Sequence, residues 1–382
     1  MKTIIYCNTL LTPFQRLDYH SIVIESGVIS ALVSGKVKSV EDDLVIDAGD
    51  LIVTPGLIDV HVHGACGFDV NDATEEANLA MSRFHATHGV TSYCATPYSG
   101  SAENLLASIQ AVTRTHWPED GARQIGLHIE GPFLSNQYRG AQPENALRDA
   151  DIDEIKRWIR AGNIRMITLA PERSGSMEAI RFCVANGIVP VAGHTGATYE
   201  QIIQAADAGL SQATHTYNGM PTFHHRNPGV VGAILADDRI YAEIIADGIH
   251  VHPAAVKLTI RVKTPERTVL ITDAIRAAGL ADGVSDLGGQ RLIIKDGASR
   301  TEAGGLAGSM LTMDAAVRNV MDFTDMPFAD VLPMATSSPA TSIGMQNQIG
   351  AIKPGACADI VFWDRDYQVR QTYVAGKLAY TA

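Results

Sequence analysis

The sequence predicts an α/β protein: a (β/α)8 TIM barrel with a small β-sandwich domain formed from both termini. Three observations lead to this prediction. Short apolar runs rich in β-branched residues recur through residues 51–272, helical patterns lie between most of them, and shorter alternating runs occupy the two ends. Near-continuous apolar strands that alternate with helices are typical of a parallel sheet covered on its outer face.

The barrel prediction depends on eight apolar runs, each of which ends in polar residues. Together they span roughly 220 residues, close to the ~250 of a usual TIM barrel. The candidate strands are Leu51–Val62, Gly89–Ala95, Gln124–Ile129, Ile164–Leu169, Gly187–Ala192, Ser211–Thr214, Ile240–Ala246 and Thr268–Thr272. The main alternative is a doubly wound sheet, which should carry a glycine-rich dinucleotide turn, but the sequence contains no GxGxxG.

Between these runs, amphipathic patterns predict the helices Glu75–His88, Asp151–Ala161, Met177–Asn186 and Tyr199–Ala208. We also expect residues 302–345 to be helical and to close the barrel. Both ends of the chain show short alternating runs with turn residues, which are typical of β-hairpins. Residues 1–53 and 347–382 are therefore predicted to form the small domain, and residues 54–346 the barrel domain.

The composition excludes several classes of protein. Of the 382 residues, 46% are hydrophobic and 19% are charged, which favours a large core over a disordered chain. Thirty basic and 42 acidic residues give a net charge of −12, so we expect no nucleic-acid partner. A negatively charged substrate would need a few local cations.

The cysteines and the apolar segments indicate the cellular compartment of the protein. Five scattered cysteines without a CxxC pair argue against a disulfide framework and a cysteine zinc site. There is no secretory signal pattern and no run of 18 apolar residues, so we expect no membrane span. A cytoplasmic protein is predicted.

A pair of histidines gives the sharpest local signal. Asp59, His61 and His63 alternate along the end of the first candidate strand, so their side chains share one face. Two imidazoles at this spacing can reach one metal ion. A structural, hydrogen-bonded pair is the alternative for an isolated HxH motif.

Four further residues, each at the end of a different strand, favour the metal site. They are Glu130, His194, His215 and Asp273. The strand ends of a TIM barrel converge on one face, and burying six such groups without a cation would be costly. Imidazoles and carboxylates without thiolates suit Zn²⁺, Fe²⁺, Co²⁺ or Mn²⁺. The fourth strand lacks lysine, so Glu130 is the natural bridging carboxylate.

Several short motifs, in this order, resemble the amidohydrolase superfamily and, more closely, the N-acetylglucosamine-6-phosphate deacetylases. They span nearly the whole chain. The matching segments are Pro55–Gly64, His128–Phe133, Ala170–Glu172, Gly193–His194, His215–Met220, His225–Gly229, Ile245–His250, Thr272–Ala274 and Gly305–Ser309.

This resemblance implies hydrolysis of the acetamide of N-acetyl-D-glucosamine 6-phosphate to D-glucosamine 6-phosphate and acetate, with one or two divalent ions per subunit. Glu130, His194 and His215 would hold the main ion, and His61 and His63 a second ion near Asp273. Asp273 would be the general acid/base. The implied substrate-binding residues are Asn218, Gly219, Arg226, His250, Leu306, Ala307 and Gly308. A homodimer is also implied, with Arg226 reaching the partner's site.

One position departs from the family pattern. The family often has a histidine that contacts the substrate carbonyl where this chain has Gln142. Gln142 can donate a hydrogen bond but cannot be a cation, so its part in substrate binding is open. His128 shares the face of Glu130 and is either a support for the site or a packed side chain.

Three alternatives stay open. The substrate could be N-acetylgalactosamine 6-phosphate, which differs at C4 only. Another amidohydrolase activity is a second alternative: the lysine-free fourth strand and the Arg226 neighbourhood oppose a dihydroorotase and weaken the case for a D-aminoacylase. A non-catalytic scaffold with the same barrel should have lost ligands, whereas this chain keeps all six.

Overall fold

The structure, a computed structural model, describes residues 2–382. Its strands are β1 (Thr3–Leu11), β2 (Arg16–Glu25), β3 (Val28–Ser34), β4 (Leu44–Asp47), β5 (Ile52–Pro55), β6 (Leu57–Val62), β7 (Gly64–Ala65), β8 (Phe68–Asp69), β9 (Val90–Ala95), β10 (Arg123–Glu130), β11 (Ile164–Leu169), β12 (Val189–Ala192), β13 (Gln212–Ala213), β14 (Tyr241–Ile245), β15 (Thr268–Ile271), β16 (Gly283–Leu287), β17 (Gln290–Lys295), β18 (Ala298–Thr301), β19 (Ile360–Trp363), β20 (Val369–Val374) and β21 (Lys377–Thr381).

The helices are α1 (Glu75–Thr87), α2 (Ala102–Arg114), α3 (Ile152–Ala161), α4 (Ser176–Ala185), α5 (Tyr199–Asp207), α6 (Gly229–Ala236), α7 (Pro253–Lys263), α8 (Met313–Thr324), α9 (Phe328–Val331) and α10 (Ser337–Ser342). Short 3₁₀ turns cover Val70–Asp72, Glu144–Ala146, Pro265–Arg267 and Leu332–Ala335. Within the described residues, no helix combines the length and the apolar character needed to cross a bilayer.

The predicted barrel is present. Eight parallel strands pair in the order β6, β9, β10, β11, β12, β13, β14 and β15. The first and last strands meet at their carboxyl ends, where the N–H of Asp273 donates to the carbonyl of His61 at 2.9 Å. Each strand is buried almost throughout, which explains why the strands appear in the sequence as continuous apolar runs.

The first predicted strand, Leu51–Val62, is wrong as one element because it is two strands in two sheets. Residues of β5 pair with β1 and β19, whereas β6 pairs with β9. The break falls at Gly56, where an added Cβ would lie 2.1 Å from the Thr91 hydroxyl. The chain therefore passes from one sheet to the other at a residue that only glycine fits.

Both termini build a second sheet, as predicted. Its hydrogen bonds link eight strands in the order β21, β20, β19, β5, β1, β2 and β3, with β4 paired to β1. This sheet has its own apolar core, which includes Ile5, Leu10, Ile22 and Phe362. The buried carboxylate of Asp359 accepts a hydrogen bond from Arg123 of β10 at 2.6 Å and so connects this sheet to the barrel.

Residues 274–312 differ most from expectation. A three-stranded antiparallel sheet, β16–β18, follows the last barrel strand and was not predicted. The predicted helical region begins at Met313 rather than at residue 302, because residues 302–312 form a loop that lines the site. From Met313 onward the helices pack on β15 and β6 and close the barrel, as predicted.

Candidate active site

The fold brings six sequence-predicted ligands together at the carboxyl ends of the barrel strands. We call them the six-residue cluster: His61, His63, Glu130, His194, His215 and Asp273. Each is at most 7% exposed. Four imidazoles and two carboxylates buried this deeply need compensating contacts, since isolated buried charge is costly.

One half of the cluster surrounds a carboxylate oxygen. The Nε2 atoms of His194 and His215 each lie 3.1 Å from Oε1 of Glu130 and 3.1 Å from each other. Two ligands about 2.0–2.1 Å from one ion are separated by roughly 3.0–3.4 Å at ordinary coordination angles. These three atoms therefore have the spacing of a metal-binding set.

The other half is formed by the HxH pair and Asp273. The two Nε2 atoms of His61 and His63 are 3.2 Å apart, and Oδ1 of Asp273 lies 3.4 Å and 3.0 Å from them. This group also has the spacing of a metal-binding set. Oε2 of Glu130 lies 3.4 Å from His63 Nε2, so Glu130 faces both halves of the cluster.

Hydrogen bonds fix the orientation of the imidazoles. The Nδ1 atoms of His63, His194 and His215 lie 2.7, 2.9 and 3.1 Å from backbone carbonyl oxygens. A carbonyl can only accept, so each Nδ1 carries a proton, and Nε2 is the nitrogen left to bind an ion. The donor set therefore suits a divalent cation of the Zn²⁺, Fe²⁺, Co²⁺ or Mn²⁺ type.

Three of the six residues have left-handed backbone conformations. The φ angles are +46° at His194, +29° at His215 and +51° at Asp273. Such conformations are unfavourable for side chains with a Cβ and concentrate at functional sites. The turn out of each strand thus places the side chain at the barrel rim.

The charges of the cluster stabilise one another. Burial alone would raise the pKa of Asp273, but the nearby His61, His63 and His215 lower it to about 2. Burial alone would lower the pKa of His63, but Asp273 and Glu130 raise it to about 9. The pKa of Glu130 is likewise held well below its usual value, against the effect of burial, by His194 and His61. Both carboxylates are thus ionised at neutral pH.

A second layer of buried polar side chains lies beneath the cluster. Burial lowers the pKa of His128 to about 4, and its ring bonds to the Val60 carbonyl at 2.9 Å and the Thr168 hydroxyl at 2.7 Å. His128 is therefore a packed, neutral side chain directly under the cluster. Asp59 is also in this layer, where its carboxylate accepts a hydrogen bond from the Thr272 hydroxyl at 2.5 Å.

A cleft opens above the cluster. The predicted substrate-binding residues that line it are Gln142, Asn218, Gly219, His250, Leu306, Ala307 and Gly308. Nδ1 of His250 lies 2.6 Å from Oδ2 of Asp247, which orients its ring. Tyr98 and Leu287 also line the cleft, and sequence reasoning missed both because their elements carry no recognisable motif.

Arg226 does not line this cleft. It lies in an exposed loop, where its Nη1 is 3.0 Å from Nε2 of His225. Within one chain, the structure therefore does not bring Arg226 together with the other predicted substrate-binding residues.

Gln142 has both ends of its amide engaged. Its Nε2 donates to Oε2 of Glu130 at 2.5 Å, and its Oε1 accepts from the N–H of Ser99 at 2.9 Å. Gln142 therefore restrains the carboxylate of Glu130 directly. In this arrangement its N–H points to Glu130, which the sequence did not indicate.

The chain is similar to known proteins over most of its length. Residues 52–379 match the amidohydrolase family. The N-acetylglucosamine-6-phosphate deacetylase of Vibrio furnissii is 40% identical over 361 residues, which are 94% of this chain and 90% of the relative. The N-acetylgalactosamine-6-phosphate deacetylase of Escherichia coli O157:H7 is 37% identical over 382 residues, 99% of this chain and 100% of the relative.

Solved structures show the same relationship. The Mycobacterium smegmatis N-acetyl-D-glucosamine-6-phosphate deacetylase in complex with N-acetyl-D-glucosamine-6-phosphate superposes with a TM-score of 0.90 at 32% identity, covering 100% of both chains. The Pasteurella multocida N-acetylglucosamine-6-phosphate deacetylase gives a TM-score of 0.92 at 29% identity, also over 100% of both chains. The chain therefore belongs to the amidohydrolase family and, within it, to the N-acetylglucosamine-6-phosphate deacetylase family, as its motifs indicated.

Proposed function

We propose that this protein hydrolyses the acetamide of N-acetyl-D-glucosamine 6-phosphate, releasing acetate and D-glucosamine 6-phosphate. The observation that carries the proposal is the six-residue cluster at the floor of a cleft, in a fold that superposes over its full length on a deacetylase holding that sugar phosphate. Retention of all six side chains argues against a non-catalytic scaffold.

The residues divide the chemistry among them. Glu130, His194 and His215 would hold one divalent ion, and His61, His63 and Asp273 a second, with Glu130 between them. A bound ion supplies a Lewis acid and lowers the pKa of water to ~7. Asp273 is ionised and accepts the proton of the attacking water. As the water oxygen bonds to the carbonyl carbon and the C–N bond breaks, Asp273 returns that proton to the leaving nitrogen.

Substrate binding follows from the cleft. Asn218, His250 and the Leu306–Gly308 loop line the cleft and would hold the sugar phosphate there. Arg226, which is exposed in its own chain, supplies a forked cation to the cleft of a partner in a homodimer. If so, mixed dimers of Arg226→Ala and Asp273→Asn subunits should recover part of the activity that each homodimer lacks.

The galacto substrate is a second candidate. The Escherichia coli relative named for N-acetylgalactosamine 6-phosphate matches this chain from end to end, whereas the Vibrio relative matches over 94% of this chain. The two sugars differ at C4, so kinetics measured on both substrates in parallel decide between the two candidates.

The five cysteines are all free, including three that are buried, and this supports the prediction of a reducing, cytoplasmic compartment. Cell fractionation tests the location.

An acetate-release assay on the full-length protein tests the proposal. We expect turnover of the phosphorylated amino sugars, and a loss in kcat/KM of about 100-fold on the unphosphorylated sugar, since charge-assisted hydrogen bonds to phosphate are lost. Chelation should abolish turnover, and re-addition of Zn²⁺, Mn²⁺, Fe²⁺ or Co²⁺ should show which ions restore it. A metal-loaded protein that releases no acetate from either phosphorylated sugar would contradict the proposal.

Asp273→Asn tests the acid/base assignment. The amide keeps the size of the side chain but cannot take up or return a proton, so kcat should fall by roughly 10²–10⁴-fold while the ion assigned to Glu130, His194 and His215 stays bound. Asp325→Asn, at an exposed carboxylate, is the matched control and should retain full activity. Metal content and kcat are measured on both variants. Normal turnover by Asp273→Asn would refute the role.

A further inference from the structure

His61 differs from the other three histidines of the six-residue cluster. Those three are held by backbone carbonyls, whereas Nδ1 of His61 lies 3.2 Å from Oε2 of Glu243. His61 lies within β6, whereas His63 follows the end of that strand, and the acceptor at Nδ1 of His61 is a side chain rather than a backbone carbonyl.

Glu243 is built for this contact. It is fully buried in the middle of β14, where its neighbours in the strand are Ala242 and Ile244. Its other oxygen, Oε1, accepts a hydrogen bond from Nε2 of the buried Gln212 at 2.5 Å. Both carboxylate oxygens thus have defined partners, and the carboxylate cannot turn away from His61.

The group His61, His128 and Glu243 has ligand atoms close enough to suggest a separate cation site. The contacts of His128 argue against that. Its Nδ1 donates to the Val60 carbonyl and its Nε2 accepts from the Thr168 hydroxyl, so neither nitrogen is free to bind a cation. The contact between His61 and Glu243 is therefore a hydrogen bond.

We propose that Glu243 is a positioning residue, supported by Gln212, that keeps the proton of His61 on Nδ1 so that Nε2 is free to bind the ion that His61, His63 and Asp273 would hold. Carboxylates behind metal-binding histidines fix the tautomer and raise the basicity of the ligand. This inference rests on the proposed function, because it concerns the ion assigned there to the HxH pair. Glu243 controls that ion without affecting the ion held by His194 and His215.

The test is Glu243→Met, which keeps most of the volume and removes the acceptor. Zinc-loaded, full-length protein is titrated with a chelator and the zinc released at each step is counted. We expect the affinity for one of two ions to fall 10–100-fold while the other ion is unchanged. The matched control is Glu154→Met, because Glu154 is an equally buried carboxylate whose partner, Arg148, lies outside the cluster. It should retain both ions.

A second readout follows the proton itself. The ¹⁵N resonances of the histidine side chains show whether His61 carries its proton on Nδ1, as we expect for the parent, and whether Glu243→Met moves it. Glu243→Gln, with a weaker neutral acceptor, should show a smaller loss of zinc and remains informative if the methionine variant does not fold.

The outcomes separate the two proposals. A parent that binds a single zinc ion would overturn the two-ion site, and the His61 tautomer would then decide the role of Glu243. Unchanged zinc release together with an unchanged tautomer would overturn the role of Glu243. Equal weakening of both ions would also overturn it, because that result reports a general loss of structure.

Discussion

A glycine beside His194 is needed for the orientation of that histidine. Nδ1 of His194 donates to the carbonyl of Tyr138 at 2.9 Å, and Gly219 lies directly against this pair. A Cβ at Gly219 would be 2.8 Å from that nitrogen and 3.2 Å from that oxygen. The hydrogen bond that orients His194 thus depends on a missing side chain.

Gly219→Ala should therefore displace His194 and lower kcat/KM by about 10–100-fold, the usual cost of disturbing a residue that orients a metal ligand. The φ of +62° also imposes backbone strain on an alanine at this position. Gly187→Ala isolates that strain, since Gly187 has a φ of +71° and nothing within 4 Å of its added Cβ. Steady-state kinetics and thermal unfolding of both variants check this. Equal activity in the two variants would contradict the prediction.

At the residue scale, sequence reasoning could predict that these six side chains meet, because it needed only strand ends and the alternation of side chains. It could not predict the contacts of Glu243 and Gln142. These depend on distances across the barrel between residues far apart in the chain, such as His61 and Glu243. The one available signal was a charged residue within the apolar run Tyr241–Ile245.

At the scale of elements, the pattern of apolar residues failed to predict two features: the break between strands at Gly56 and the β16–β18 sheet. A continuous apolar run cannot show that its two halves belong to different sheets, since both are buried. In β17 alternate residues such as Leu292 and Ile294 are buried against Tyr98 and Leu287, while those between them are exposed. The alternation of apolar and polar residues was visible in the sequence. It did not lead to a strand prediction because it lies outside the repeating order of strands and helices that defines the barrel.

A buried ion pair links the barrel to the second sheet, and its contribution to stability can be measured. Arg123 at the start of β10 bonds to the buried Asp359, whose other oxygen accepts from the N–H of Ala375 at 2.9 Å. Arg123→Met leaves that carboxylate buried without a cation and should lower the free energy of unfolding by about 3 kcal/mol. Urea unfolding of Arg123→Met, Asp359→Asn and the double variant forms a complete cycle. Additive costs, rather than partial recovery in the double variant, would refute the coupling.

At the scale of the whole molecule, the free energy of unfolding at acid pH should depend on a buried group outside the active site. His85 of α1 is 3% exposed, contacts the rings of Phe84 and Tyr93, and its Nε2 has no hydrogen-bond partner among residues 2–382. Burial, with a smaller contribution from His88, lowers its pKa to about 3. An unfolded chain would bind the proton near the ordinary value of ~6.5.

Because the pKa of His85 is depressed in the folded state, its contribution favours folding above pH ~6.5 and is lost as pH falls toward 3. Between pH 7.5 and pH 5 the loss is about 2 kcal/mol. His85→Leu should remove that part of the decline, as measured by urea unfolding of the zinc-loaded protein at both pH values. His116→Leu, at a side chain that is 96% exposed, should decline like the parent. If His85→Leu also declines like the parent, His85 is not the group responsible.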